Sequence, residues 1–433
     1  MMDETSIGGA PGGWVEMDRR HVWHPYTQML AAPAPVPIAR GEGAYLITGD
    51  GRRILDAISS WWVTLHGHCH PHIVSAIARQ AAELEQVIFA GFTHQPAARL
   101  ASELAGILPG DIDRVFYSDD GSTAVEIALK MCIGLWANRG ERRGRFLALE
   151  DAYHGDTFGA MAVSERSVFT RQFSALLFDV TRLPFPADGE PEERFLTAAA
   201  DELRKGDVAG VIVEPLILGA GGMRPWSPGA LARLAALCRA NGVPLIADEV
   251  MTGFGRTGTM FAVERAEIVP DIICLSKGLS GGFLPFAVTA CRPWIYEAFL
   301  SDDRSRALFH GHSFTANPLG CAAALASLEL FRTEPVMERI ASIEAVHRER
   351  MAALAASGAV ADARVLGTIA AFNLRSDTTG YLSNAAARIV RRGFERGFLL
   401  RPLGDVVYIM PPYCTSSHDL HRLHDFLADE LSD

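Results

Sequence analysis

PLIADE (244–249) and DIICLSKG (271–278) are the two segments of this chain that say most about its architecture. Each holds a short apolar run that ends in a charged residue, Asp248 in the first segment and Lys277 in the second. Such runs are typical of buried strands in a parallel sheet, and ligands bind where the carboxyl ends of those strands meet. We therefore expect a carboxylate and an amine at neighbouring strand ends.

This pair of charges suits pyridoxal 5'-phosphate (PLP). A lysine binds that cofactor as a Schiff base, and an aspartate keeps the pyridine nitrogen protonated so that the ring can accept electrons. Lys277 and Asp248 are the candidate catalytic residues for these two tasks. Either charge alone would more simply be a solvated strand end, so the prediction depends on support from other segments.

An alternation of strands and helices runs from about residue 65 to 330 and predicts an α/β fold with a largely parallel sheet covered on both faces. The predicted strands are 114–118, 145–150, 208–215, 244–249, 271–276 and 286–290, and the clearest helices are 123–138 and 229–241. The predicted domains are an N-terminal arm with part of a small domain (1–64), a large domain (65–334) and a C-terminal small domain (335–433). A hairpin is predicted around Asp50 and Gly51.

Composition excludes several classes of function. The chain has 433 residues, of which 49% are hydrophobic, and a formal net charge of −11. Its basic residues are scattered, which argues against nucleic acid as a partner, and Gly, Pro or a charge interrupts each apolar run, which argues against a membrane span. Seven cysteines without zinc spacing predict reduced thiols and a cytoplasmic protein. Residues 1–13 predict a disordered arm that is no signal peptide.

A helix that follows the first predicted strand offers a phosphate site. Gly121 and Ser122 are expected just before this helix, where free N–H groups and the helix dipole favour an anion and the serine hydroxyl can add a bond. Thr123 and Glu126 predict a capping box at this end of the helix. Asp120 is a second anion beside the phosphate and would repel it unless its carboxylate points away.

Two further loops contain candidate ligand-binding residues, and a histidine-rich segment raises the question of a metal site. The loop DAYHGDTFG (151–159) follows a strand and contains Tyr153, whose ring can stack on a pyridine. The loop FHGHS (309–313) offers the hydroxyl of Ser313 to a phosphate. The four alternate histidines of HGHCHPH (66–72) have no acidic or thiolate partner at ligand spacing, so no metal site is predicted.

With these residues assembled, the chain resembles the class III PLP-dependent aminotransferases of fold type I over almost its whole length. IADEVMTGFGRTG (246–258) and PDIICLSKGLSGG (270–282) are similar to the signature of that family at its spacing. The resemblance implies a large domain with a mostly parallel seven-stranded sheet flanked by helices, and a smaller α/β domain from both chain termini. It also implies PLP as cofactor and a homodimer with the site between subunits.

Within this family the chain resembles the members that convert 8-amino-7-oxononanoate to 7,8-diaminononanoate in biotin biosynthesis. The segments that carry this resemblance are WHPYTQM (23–29), ISSWW (58–62), AYHGDTFGAMAV (152–163), IVEPLILGAGGM (212–223) and RPLGDVVYIMPPY (401–413). The implied amino donor is S-adenosylmethionine. Two alternatives stay open: lysine as donor to the same acceptor, or another class III aminotransferase that acts on an ω-amine.

The resemblance implies a role for each matching position. Cofactor contacts are implied for Gly121, Ser122, Tyr153, Asp248, Lys277 and, reaching across from the partner, Ser313. Substrate contacts are implied for Tyr26 (also a catalytic candidate), Trp61, Trp62, Tyr153, Gly311 and Arg401, and further contacts are suggested for Asp156, Arg256 and His312. An aliphatic keto acid needs an apolar, aromatic slot that ends in one cation, and the tryptophans and Arg401 can provide them.

The chain departs from the family pattern in two places. His312 and Ser313 stand where Pro-Thr is usual. Serine keeps a hydroxyl for the phosphate, but histidine in place of proline can change the side of the site that binds the amino donor. Asp120 stands where a small serine is usual, next to the predicted phosphate site. The first departure leaves the identity of the amino donor open.

Overall fold

The computed structural model describes residues 13–187, 189–375, 380–381 and 383–432. The predicted disordered arm (1–13) lies outside the described residues except for Gly13, which begins the helix Gly13–His21. In the described part of the chain, each helix is too short or too polar to cross a lipid bilayer.

A seven-stranded sheet forms the centre of the larger part of the molecule. Across the sheet its strands are Arg114–Ser118, Ala287–Cys291, Ile272–Leu275, Leu245–Asp248, Val208–Val213, Arg145–Leu149 and Val180–Leu183. All neighbours pair in parallel except Ala287–Cys291, which is antiparallel to both of its neighbours. The predicted fold class is confirmed. The strand that the sequence did not indicate, Val180–Leu183, lies at the sheet edge and is only partly buried.

Both faces of this sheet are covered, which explains the continuous apolar runs. Successive residues of one strand, such as Ile246 and Ala247, belong to hydrophobic clusters on opposite faces. The α-helices of this part are Pro71–Glu83, Gln95–Ile107, Gly121–Asn138, Phe158–Val163, Glu190–Leu203, Pro228–Ala240, Pro293–Glu297 and Pro318–Thr333. Short 3-10 helices are Arg171–Leu176, Ala262–Ala266, Lys277–Ser280 and Arg304–Arg306.

Strands from both ends of the chain combine in the smaller part. One sheet contains Ile38–Glu42, Tyr45–Thr48, Arg53–Asp56 and Phe398–Leu399, and another contains Val360–Leu366, Ile369–Leu374 and Val406–Ile409. The helices are Val336–Ser357, Ala387–Glu395 and Ser417–Ser432, and a small hairpin joins Ile217–Leu218 to Arg224–Pro225. The predicted hairpin around Asp50 is confirmed, because Tyr45 pairs with Leu55. The domain limits at residues 64 and 334 stay predictions.

Candidate active site

The carboxyl ends of two adjacent parallel strands bring Asp248 and Lys277 to one cavity. Asp248 is paired with Cys274 in the neighbouring strand, and Lys277 follows three residues later at the start of a 3-10 turn. Both side chains line a cavity of about 480 Å³. Burial lowers the pKa of the Lys277 amine to about 8, although Asp248 and Glu214 favour its charged form. A large fraction of this amine is therefore neutral near pH 8.

The carboxylate of Asp248 is fixed from two sides. Its Oδ2 lies 2.7 Å from Nδ1 of His154, and its Oδ1 accepts a hydrogen bond from the Val250 backbone N–H at 3.1 Å. His154 is buried and also lines the cavity. Sequence reasoning named His154 only as a loop residue, although its place beside Tyr153 after a buried strand was the available signal.

Gly121 and Ser122 line the same cavity at the first turn of the helix Gly121–Asn138, as the phosphate prediction requires. The Cβ of any other residue at position 155 would lie 2.1 Å from Ser122 Oγ, so Gly155 is needed for the loop to close on this serine. The same hydroxyl accepts a hydrogen bond from the Asp156 backbone N–H at 3.1 Å. The site thus keeps two backbone N–H groups and one hydroxyl at a helix N-terminus.

The predicted capping box of Thr123 and Glu126 is wrong. Asp120 is the N-cap, its Oδ1 accepting from the Thr123 N–H at 3.0 Å while the Thr123 hydroxyl faces the Asp120 backbone. The carboxylate of Asp120 is therefore turned onto its own helix, which answers the concern about a second anion. Glu126 instead accepts from the backbone N–H groups of Gly159 and Ala160, at 2.6 and 3.2 Å.

Glu214 is a functional candidate that sequence reasoning missed. Its Oε1 accepts from the Tyr153 N–H and its Oε2 from the Gly219 N–H, both at 2.9 Å. The side chain is buried and lines the Lys277 cavity, and burial raises the pKa of Glu214 to about 7. The available signal was the same as for Asp248: a charged residue directly after a buried apolar strand.

A second cavity of about 340 Å³ extends from Lys277 toward Arg401. It shares Trp62, Tyr153 and Lys277 with the first cavity. Its wall also contains Tyr26, Trp61, Asp156, Phe169, Tyr381 and Arg401. The Arg401 guanidinium lies 4.4 Å from the ring centre of Trp61, and the Lys277 amine lies 4.7 Å from that of Trp62. The structure therefore brings both tryptophans, Tyr26 and Arg401 to one aromatic slot.

Asp156 links the two tyrosines of this slot. The hydroxyl of Tyr26 donates to Asp156 Oδ2, and the Tyr153 hydroxyl donates to the same oxygen at 2.9 Å. Burial, followed by the bond to Asp156, raises the pKa of Tyr26 to about 12. Tyr26 therefore stays protonated as a hydrogen-bond donor at neutral pH.

Four residues with predicted ligand roles lie outside both cavities. Arg256 is buried and donates to the carbonyl oxygens of Trp62, Thr64 and Pro411. The other three share the 310–313 loop: Gly311 and Ser313 are exposed, and His312 Nδ1 lies 2.9 Å from Asp119 Oδ2. Ligand contacts for Arg256, Gly311, His312 and Ser313 stay predictions, and the contact of Ser313 concerns a neighbouring subunit.

The histidines of the segment 66–72 each bond to a separate partner. His66 Nε2 lies 3.1 Å from Ser327 Oγ, and His68 Nε2 lies 2.9 Å from Asp56 Oδ2. His70 and His72 pair with the different glutamates Glu334 and Glu329 at 3.2 and 3.1 Å. Three of these partners lie on the helix Pro318–Thr333 or at its C-cap, and the fourth is Asp56, so each of the four histidines bonds to its own residue.

The residues present fit PLP. One cavity is lined by the helix N-terminus at Gly121 and Ser122, by the buried Asp248 and by Lys277, whose pKa is lowered. Tyr153 lines the same cavity and supplies an aromatic face. This combination of anion site, acid partner and amine defines a PLP-dependent enzyme of fold type I.

Comparison with known proteins agrees with this geometry. The chain matches the family Aminotransferase class-III over residues 26–431 and belongs to that family. Its cofactor is PLP.

Two curated relatives carry the name adenosylmethionine-8-amino-7-oxononanoate aminotransferase. The one from Synechococcus elongatus is 51% identical over 95% of this chain and 99% of its own length. The one from Geobacter sulfurreducens is 39% identical, with 96% of each chain covered.

Solved structures of aminotransferases share the fold of this chain. The adenosylmethionine-8-amino-7-oxononanoate aminotransferase of Methanocaldococcus jannaschii superposes with a TM-score of 0.92 at 37% identity, covering 97% of this chain and 98% of its own. A PLP-bound amine transaminase from an uncultivated Pseudomonas species superposes with a TM-score of 0.89 at 31% identity, covering 95% and 98%. The chain is therefore similar over nearly its full length to enzymes that transfer amino groups.

Proposed function

We propose that the enzyme transfers an amino group to 8-amino-7-oxononanoate, giving 7,8-diaminononanoate for biotin synthesis, with S-adenosylmethionine as amino donor. The observation that carries this proposal is the aromatic slot that runs from Lys277 to Arg401. A long aliphatic keto acid with a terminal carboxylate matches an apolar wall that ends in one guanidinium. The names of the relatives support this acceptor over other ω-amine substrates.

Lys277 is the group that moves protons. Bound PLP supplies an electron sink for the carbon that carries the reacting amine. When its nitrogen is free and neutral, Lys277 would take up the proton from the substrate carbon and give it back before the product leaves, once in each of two half-reactions. Its lowered pKa of about 8 suits this exchange near neutral pH. Ping-pong kinetics follow from the shared cavity.

Asp248 holds the electron sink in its protonated form. Its carboxylate lies at the end of the strand Leu245–Asp248 and is held by His154, so it keeps a fixed position under the ring site. Gly121 and Ser122 would hold the phosphate at the N-terminus of their helix, and Tyr153, which lines the same cavity, would offer an aromatic face. Asp248, Gly121 and Ser122 lie on regular elements, whereas Tyr153 lies in the loop after the strand Arg145–Leu149.

Arg401 and the tryptophans recognise the acceptor. Arg401 offers a planar fork that can bind a carboxylate through two hydrogen bonds, and its stacking on Trp61 limits the orientations of that fork. The hydroxyl of Tyr26 donates to Asp156 and lies in the same wall, so its oxygen can accept a hydrogen bond from a polar N–H or O–H group of the substrate. Together they select the length of the chain between keto group and carboxylate.

The amino donor is tested by direct competition. Purified enzyme would receive 8-amino-7-oxononanoate with S-adenosylmethionine, with lysine, or with a panel of ω-amines, and diamine formation would be measured by mass spectrometry. We expect product with S-adenosylmethionine. Diamine formed only with lysine would replace the donor, and amino transfer from ω-amines to pyruvate but not to 8-amino-7-oxononanoate would contradict the proposed acceptor.

We also propose a cytoplasmic homodimer in which Ser313 reaches the phosphate of the neighbouring subunit. Large apolar side chains are exposed in the two segments that meet here: Phe309 and Phe314 share the loop of Ser313, and Ile88 and Phe92 follow Gln86, whose side chain donates to the Ser313 carbonyl. Sedimentation would measure the assembly, and a Ser313→Ala variant should bind PLP more weakly. Mixed dimers of Lys277→Ala and Ser313→Ala subunits would show whether the serine acts across the interface.

A further inference from the structure

We propose that Asp56, Ser60 and His68 are positioning residues for the amino transfer, because they hold Trp61 and Trp62 in a left-handed turn. None of the three lines either cavity. They act through the two tryptophans, which do. The inference rests on the proposed function only for the identity of the acceptor.

The backbone of this turn is unusual. Ser59, Ser60, Trp61 and Trp62 have φ values of 51°, 50°, 89° and 73° in succession. The turn is closed by backbone hydrogen bonds of 2.9 Å from Trp62 N–H to Ile58 O and from the Val63 N–H to the Ser59 carbonyl. A left-handed conformation is disfavoured for residues with a Cβ, so four in a row persist only where the surroundings impose them.

Asp56 is the side chain that holds the middle of the turn. It is 0% exposed, at the end of the strand Arg53–Asp56. Its Oδ1 accepts from the Ser60 and Ile58 N–H groups at 2.9 and 3.3 Å, and its Oδ2 accepts from the Ser60 hydroxyl at 2.7 Å. Several hydrogen bonds to one buried carboxylate stabilise the turn, and this stabilisation offsets the cost of a conformation that the backbone alone disfavours.

His68 fixes the other side of Asp56. Its Nε2 lies 2.9 Å from Asp56 Oδ2, and its own backbone pairs with Gly43 through bonds of 2.7 and 3.2 Å. A Cβ at Gly41 would lie 2.6 Å from the His68 Cβ, so the histidine is packed closely on the first hairpin. Asp56 therefore joins the strand, the hairpin and the turn.

The turn directs its two tryptophans to different charges. Trp62 packs over the Lys277 amine and donates from Nε1 to the Tyr408 hydroxyl at 2.9 Å. Trp61 packs over the Arg401 guanidinium and meets the Tyr26 ring edge-on at 5.5 Å. In an extended or right-handed segment, adjacent side chains would point elsewhere, so the turn is what places both rings in one slot.

The ends of the turn are held by other groups. The Ser59 hydroxyl donates to the Met410 carbonyl at 2.7 Å, and Arg256 donates to the Trp62 carbonyl. Neither contact reaches the backbone of Ser60, and among the residues that the structure describes only the Asp56 side chain bonds to it. Removing the Asp56 contacts should therefore loosen the rings without detaching the segment.

The first experiment compares Ser60→Ala with Ser60→Gly. Both remove the hydroxyl bond to Asp56, but only alanine keeps a Cβ at a positive φ, so the glycine variant should melt at the higher temperature. In both variants we expect the KM for 8-amino-7-oxononanoate to rise about tenfold while kcat changes less. Ser327→Ala, which removes one buried hydroxyl bond to His66, is the matched control.

The second experiment follows the rings without relying on the substrate. Adding PLP to the apoenzyme should quench the fluorescence of Trp62, and Trp62→Phe measures that share of the signal. In Asp56→Ala, PLP should no longer quench the fluorescence of Trp62, whereas the visible absorbance of Lys277-bound PLP should remain. If Asp56→Ala does not fold, Ser60→Ala is used for the same measurement.

The outcomes separate the inference from the proposed function. Wild-type enzyme that does not aminate the keto acid contradicts the function, and the fluorescence result then decides the positioning role by itself. Unchanged quenching together with an acceptor KM within about twofold of wild type in Ser60→Ala would overturn the positioning role. Reduced quenching with a raised acceptor KM, against an unaffected Ser327→Ala, supports it.

Discussion

The carboxyl ends of the central strands of the seven-stranded sheet and the turn Ser59–Trp62 both contribute residues to the cleft, but they hold those residues by different means. At the sheet edge, Asp248 and Lys277 follow regular parallel strands whose pairing fixes their separation. In the turn, two tryptophans are held by a backbone with four successive positive φ values and by buried side-chain bonds. The comparison teaches that the cofactor chemistry is carried by regular elements, whereas substrate recognition is carried by a strained segment.

Removing the amine at the sheet edge tests the first half of this comparison. Lys277→Ala should lower turnover by more than about 1,000-fold with every donor and acceptor, because the proton carrier is lost from both half-reactions. The measurement is diamine formation together with the visible absorbance of the bound cofactor, which should also disappear. Lys277→Arg keeps a cation in place, and turnover near the wild-type value in either variant would contradict the assignment.

Removing the cation at the far end of the slot tests the second half. Arg401→Ala should raise the KM for 8-amino-7-oxononanoate about 30- to 100-fold, the effect of losing about 2–3 kcal/mol of charge-assisted hydrogen bonding. The KM for the donor and the cofactor absorbance should change little. Arg52→Ala is the control, since Arg52 also packs over an aromatic ring, Phe394, away from the cleft. A change confined to the donor KM would place the carboxylate elsewhere.

Glu214 tests how the buried charges at the strand ends act on Lys277. Glu214→Gln keeps one acceptor for the N–H groups of Tyr153 and Gly219 but not two, so kcat/KM should fall about tenfold. Loss of its charge should also lower the pKa of Lys277, which Glu214 raises. The pH dependence of PLP binding to the apoenzyme measures this shift.

A matched variant controls for buried charge in general. Glu249→Gln changes another buried carboxyl group whose pKa burial raises to about 7. Glu249 bonds to Thr252 and to the Val263 backbone and lies outside both cavities. Equal shifts in the pKa of Lys277 in both variants would show that Glu214 has no specific role.

The last prediction concerns stability rather than activity, in the smaller part of the molecule and away from both regions. His347 and His424 are buried, with Nδ1 and Nε2 2.9 Å apart, and burial lowers their pKa values to about 4 and about 2. Both are neutral in the folded chain, whereas unfolded histidine takes up a proton below about pH 6.5. Stability should therefore fall as the pH drops below that value, by about 2 kcal/mol per histidine at pH 5.

Melting curves between pH 7.5 and 5 measure this dependence. His347→Leu should flatten the slope, since it removes one of the groups that protonate only on unfolding. His72→Gln, at a partly exposed surface pair with Glu329, should leave the slope unchanged. A slope that is the same in all three proteins would assign the acid sensitivity to other groups.

The contrast between regions also explains what the sequence could predict. Continuous apolar runs predict strands such as Leu245–Asp248 and Ile272–Leu275. The residues that end these strands then lie at the carboxyl ends of a parallel sheet, where ligands bind. The edge strand Val180–Leu183 was missed because it is short and only partly buried. The cap at Asp120 was missed because Thr123 and Glu126 offered a competing pattern at the same helix end.

The turn could not be predicted in the same way. Tryptophans and serines have no preference for positive φ, and the cause of the turn, Asp56 with His68, becomes visible only when distant segments meet. His68 was considered only as a metal ligand, and Glu214 was not considered. Local patterns thus identify the cofactor residues, whereas the walls of the substrate slot depend on tertiary contacts.

The parallel pairing of Leu55 with Phe398 has a consequence for biosynthesis. The tryptophan turn follows this strand directly, and its first serine bonds to Met410, near the other end of the chain. These contacts cannot form until the ribosome has made almost the entire polypeptide, whereas the strands around Asp248 can already associate. The newly made protein should therefore acquire its cofactor pocket before it acquires substrate selectivity. A chain that ends near residue 395 should lack that selectivity.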